Sequence, residues 1–83
     1  MKKIKIDLLG KIFEISIEKI NTFPNTVYLI EYSKSSKLNI IVQSPIYIVE
    51  KDKIFAFQNN SNIEYVNLLM SISKGIEENY NIF

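Results

Sequence analysis

The sequence predicts an α+β domain: a mostly antiparallel, curled sheet of about six strands, or a small half-barrel, with one C-terminal helix packed on it. Three observations point there. Short segments of alternating or apolar character fill residues 2–57. The connections between them are short, as in an antiparallel meander. Apolar residues at helical spacing then occupy the stretch from about 62 to 79.

The first strand spans about residues 2–9. Lys3, Lys5 and Asp7 face one way and Ile4, Ile6 and Leu8 the other. The second spans about 11–20, with Phe13, Ile15 and Ile17 opposite Glu14, Ser16 and Glu18. Gly10 marks a hairpin between them, and two registers keep the apolar faces together. A Leu9-Gly10 loop sets Lys5 opposite Glu14, whereas a Gly10-Lys11 loop sets Asp7 opposite Glu14. The second suits a turn that wants Gly first; the first avoids a like-charge pair, an effect of roughly 0.2–1 kcal/mol. Both stay open.

Pro24 and its neighbour Asn25 break the chain before a third strand at about 26–33, where Tyr28, Ile30 and Tyr32 oppose Val27, Leu29 and Glu31. Residues 33–37 form a polar loop, expected to be the most mobile internal segment. Strands are expected at about 38–43, 46–50 and 53–57, broken by Ser44-Pro45 and by a tight turn around Lys51-Asp52. Ser61 and Glu64 have the spacing of a capping box. Ile63, Val66, Leu69, Met70, Ile72 and Ile76 follow as a wide stripe that docks on the sheet. Gly75 either ends this helix or weakens it by about 1 kcal/mol. No repeat or second domain is evident, so residues 1–83 form one domain.

Strands followed by a C-terminal helix are similar to the outline of pleckstrin-homology-like domains, in which a helix plugs one end of a curled sheet. Sm-like and SH3-like small barrels fit nearly as well. A fold likeness of this kind implies no function.

Composition narrows the function classes. The chain has no His and no Cys, which removes nucleophile–His pairs, disulfides and the common transition-metal sites. Two glycines leave no phosphate-cradling loop. Asp7, Glu14 and Glu18 form the best acidic cluster, but Lys3 and Lys5 share their face, which points to a solvated charge ladder. No catalytic residue, metal or cofactor is expected. A net charge of +1 argues against an acidic nucleic-acid mimic and against a strongly electrostatic nucleic-acid binder. Lys5, Asp7 and Lys11 interrupt any signal-peptide core, and no run approaches the ~20 apolar residues of a membrane span. The expected location is the cytoplasm, with no membrane partner.

The apolar balance is the main functional clue. Strands four to six are apolar on both faces: Ile40 and Val42 oppose Ile41, Ile46 and Ile48 oppose Tyr47 and Val49, and Phe55 and Phe57 oppose Ile54 and Ala56. Strands of that kind are covered on both sides, and one helix covers one side. Either the sheet closes on itself, or the surplus surface meets another protein or a second copy. The leading expectation is a non-enzymatic protein-binding module, such as an adaptor or an inhibitor encoded by a phage or other mobile element. The alternative is a small β-barrel that binds single-stranded nucleic acid, with Tyr28 and Tyr32 stacking on bases beside loop lysines. A small-ligand pocket between helix and sheet is a third possibility. The candidate partner-binding residues are Tyr28, Tyr32, Lys34, Lys37, Tyr47, Lys51 and Lys53.

Overall fold

The computed structural model describes residues 1–58 and the backbone from 63 to 80, with side chains from 65 onward. Five strands form one antiparallel sheet in the order β1-β2-β3-β4-β5. They are β1 (Lys2–Leu8), β2 (Lys11–Asn21), β3 (Thr26–Glu31), β4 (Ile46–Lys51) and β5 (Ile54–Phe57). A short helix, α1 (Leu38–Ile41), lies between β3 and β4, and α2 (Ile63–Tyr80) ends the described chain. The sheet curls into a half-barrel, and α2 packs in its concave side against β1 and β5.

Alternation places the core. Ile4, Ile6 and Leu8 of β1, Ile15 and Ile17 of β2, Tyr28 and Ile30 of β3, and Ile46 and Ile48 of β4 all point to the concave side and are buried. Leu68, Ile72 and Ile76 of α2 meet them, each fully buried and each four residues from the next. The buried strip is narrower than the stripe expected from sequence. Leu68 belongs to it, whereas Val66 is 44% exposed and Met70 65%. The Ser61–Glu64 cap and the chain beyond Tyr80 lie outside the described residues.

Gly75 does not end the helix. It sits where α2 crosses β1, and a Cβ placed there comes within 2.6 Å of Ile4 Cδ1. The absent side chain lets the helix lie close to the strand. Ser71 Oγ donates to the Asp7 carbonyl at 2.7 Å, and Lys2 Nζ donates to the Asn79 carbonyl at 3.0 Å. These two bonds fix α2 antiparallel to β1.

The first hairpin adopts the register with Lys5 opposite Glu14 and Ile6 opposite Phe13. Leu9 (φ 52°) and Gly10 (φ 86°) both lie at positive φ, the geometry of a type I′ turn. Asp7 Oδ1 accepts the Gly10 N–H at 2.9 Å and closes the turn. The β4–β5 turn repeats this backbone with Asp52 and Lys53.

The strand expected at about 38–43 is not a strand, which lowers the count from six to five. Its apolar, β-branched run, Ile40-Ile41-Val42, has strand composition, but side-chain bonds around it favour a helical turn. Asn39 Nδ2 donates to the carbonyls of Ser33 (2.8 Å) and Ser36 (3.0 Å), while Asn39 Oδ1 accepts the Ser44 N–H at 3.1 Å. Leu38 is drawn fully into the core and Ile40 is left 84% exposed. The preceding loop also bonds internally, through Ser33 Oγ with Ser35 Oγ at 2.8 Å and through the Ser36 N–H to the Ser33 carbonyl at 2.9 Å.

Candidate protein-binding face

The convex side of the half-barrel has no helix over it among the described residues. On β1 and β2 this side is largely polar, with Lys3, Lys5, Asp7, Glu14, Ser16 and Glu18, and Ile12 near the turn. On β3, β4 and β5 it is apolar. The ladder sets Leu29 opposite Tyr47, Val27 opposite Val49, and Val49 opposite Ala56. Tyr47 is 39% exposed and Ile54, at the end of β5, is 71% exposed. Val27, Leu29 and Val49 are partly buried by their neighbours and Ala56 is exposed. Glu31 of β3 lies at one end of this patch and Lys51 of β4 at the other. Among the described residues, the concave side buries Ile46 and Ile48 of β4 and partly buries Phe55 and Phe57 of β5, whereas Tyr47, Ile54 and Ala56 on the convex side are exposed.

The tyrosines expected to stack on bases are in the core. Tyr28 is fully buried and Tyr32 is 9% exposed. This corrects their assignment as partner-binding residues. They lie on the concave face with Ile30, and the domain needs their volume under α2. The Tyr32 hydroxyl donates to the Val42 carbonyl, and its backbone N–H donates to Ser44 Oγ at 3.2 Å. Burial pushes the Tyr32 hydroxyl pKa up to about 12, with a smaller push from Tyr65. Burial likewise lifts Tyr28 to about 12, with smaller contributions from Glu50 and Tyr80. The Tyr28 hydroxyl has no hydrogen-bond partner among the described residues.

Around Tyr28 the concave face closes with an aromatic and cationic cluster. The Tyr28 and Tyr80 ring centroids are 5.5 Å apart. Lys19 Nζ lies 5.9 Å from the first and 5.5 Å from the second. The Tyr80 hydroxyl donates to the Ile17 carbonyl at 3.4 Å, and burial, then Glu18, raises its pKa. These contacts seal the end of the helix–sheet core.

The loop lysines do not converge. Lys34 and Lys37 follow β3 at one end of the sheet, whereas Lys51 and Lys53 flank the β4–β5 turn at the other. All four are exposed, but they make no common basic stripe. Of the seven residues singled out from sequence, Tyr47 and Lys51 belong to the convex patch. Val27, Leu29, Val49, Ile54 and Ala56 make up the rest of that patch. Val49, Ile54 and Ala56 lie in the two-sided apolar runs, whereas Val27 and Leu29 belong to the third strand, on its face with Glu31.

The acidic residues of the first hairpin are spread along it. Glu14 faces Lys5 across the ladder, and Asp7 is engaged with its turn. No group of three or more possible metal-ligating side chains occurs among the described residues. Between β1 and α2 runs an open groove of about 440 Å³ with a mixed rim of Lys5, Asp7, Lys74 and Glu78. No described helix is long and apolar enough to cross a membrane. No family model, no curated protein and no solved structure matches the chain.

Proposed function

We propose that this protein is a non-enzymatic protein-binding module that works through the convex face of β3, β4 and β5. The observation that supports this reading is the apolar patch of Val27, Leu29, Tyr47, Val49 and Ala56, with no helix over it among the described residues, on a sheet whose other face packs against α2. The patch has the anatomy of a small interface: an apolar centre, one aromatic side chain, and charges at its rim. An adaptor, or an inhibitor that occludes a partner's surface, uses such a face without any chemistry of its own.

The test is a tagged pull-down from a lysate of the native host, with and without nuclease, comparing the natural chain with Ala56→Arg. Ala56 is exposed, so the substitution leaves the core intact. Stoichiometric recovery of one protein after nuclease, lost in Ala56→Arg, supports the reading. Recovery of nucleic acid alone, or equal recovery by both chains, rejects the convex face as the binding surface.

A further inference from the structure

We propose that the occupant of the convex face is a second copy of this chain, bound face to face about a two-fold axis. The inference rests on the binding-face reading and adds the identity of the partner. It comes from the self-complementary layout of the patch. Glu31 stands at one end of β3 and Lys51 at the opposite end of β4, with the Leu29–Tyr47 and Val27–Val49 rows between them. A two-fold axis in the plane of the face, crossing the strands between those rows, exchanges the two ends. It sets the Lys51 end of each copy over the Glu31 end of the other, one strand apart and within reach of long side chains. Two equivalent ion pairs of opposite charge result at those ends, while Glu18, beside Leu29 on β2, lies at the edge of the face near its own symmetry mate.

The same operation sorts the apolar centre by size. Val27 and Val49 of one copy stand against Leu29 and Tyr47 of the other, so each larger side chain meets a smaller one. Two convex faces packed this way meet along β3 and β4, about 10 Å apart where they touch, with α2 of each copy on the far side. Ala56 extends the row beside Val49 without a bulky side chain.

Sedimentation equilibrium from about 1 μM to about 1 mM, the range in which small interfaces exchange, tests the arrangement. The natural chain is expected to move from monomer to dimer mass. Lys51→Glu and Glu31→Lys are each expected to weaken dimerisation by at least ~10-fold, because symmetry applies each change twice. Mixed in equal amounts, the two variants restore opposite charges at both ends and should form a heterodimer. That recovery also shows that each variant is folded. A monomer at every concentration, or a dimer indifferent to both charge reversals, overturns the proposal. A monomeric natural chain that still captures a host protein through Ala56 overturns self-association alone. A monomer that captures nothing overturns the binding face as well.

Discussion

Replacing Tyr28 with Phe should stabilise the fold, because the hydroxyl is buried without a partner among the described residues. An unsatisfied buried hydroxyl costs about 1–3 kcal/mol, since it gives up its hydrogen bonds to water and gains none in return. Deleting one oxygen leaves a void smaller than a methyl group, which costs less than about 1 kcal/mol. The net expectation is a gain of about 1 kcal/mol, or a rise of about 4–8 °C in Tm for a domain of this size. Tyr32→Phe is the matched control, as its hydroxyl bonds the Val42 carbonyl. It should lose about 1 kcal/mol or more, because that carbonyl is left unpaired. Thermal and urea denaturation followed by circular dichroism measure both. A lower Tm for Tyr28→Phe would show that the hydroxyl has a partner and refute the reasoning.

Four further outcomes are expected. Stability should hold up to about pH 10 and fall between about pH 10 and 12. Tyr28 and Tyr32 ionise near 12 when folded and near 10 when unfolded, so the unfolded state loses its protons first; Tyr28→Phe should make the decline shallower in urea titrations, and an unchanged slope rejects the assignment. Gly75→Ala should lower stability by about 1 kcal/mol, as the clash with Ile4 outweighs the helix propensity gained. Adding Ile4→Val, which removes the clashing Cδ1, should recover part of the loss in a double-mutant cycle, and strict additivity refutes the close approach. Leu9→Asn should stabilise by about 1 kcal/mol, because Leu9 is 81% exposed at positive φ and Asn-Gly suits a type I′ turn; a loss of stability contradicts the turn geometry. Asn39→Ala should cost about 1–2 kcal/mol by freeing the Ser33, Ser36 and Ser44 backbone groups, and amide exchange should quicken across 33–44; unchanged exchange there refutes its role.

Much of the fold is legible in the sequence because β1, β2 and β3 obey a period of two without exception in their buried positions. Ile4, Ile6, Leu8, Ile15, Ile17, Tyr28 and Ile30 are all where alternation puts them. The sequence leaves the first hairpin's register open because both alternatives preserve that alternation. The backbone of Leu9 and Gly10 and the Asp7 carboxylate decide it, and neither has a periodic signature. The segment 38–43 misleads for a similar reason. Its side chains favour a strand, but Asn39 reaches back to Ser33 and forward to Ser44, and such side-chain-to-backbone bonds leave no trace in hydrophobic spacing.

The candidate site divides along the same line. A surplus of apolar strand surface was visible in Ile46-Tyr47-Ile48-Val49 and Ile54-Phe55-Ala56-Phe57. Which of the two faces stays open depends on where α2 docks, and that is a tertiary property. Tyr28 and Tyr32 were the best stacking pair by spacing, yet the docking of α2 puts them in the core. The loop lysines lie near one another in type but not in space, because the meander sends successive turns to opposite ends.

The most direct test of the convex-face account is methyl NMR with a soluble paramagnetic probe, run on the isolated protein and on its assembled form. Val27, Leu29 and Val49 report the convex face, and Ile72 and Ile76 report the core. Assembly should protect the first three from the probe and leave the core methyls unchanged. Unchanged relaxation at Val27, Leu29 and Val49, with protection appearing on α2 or at residues 33–37, would contradict the account.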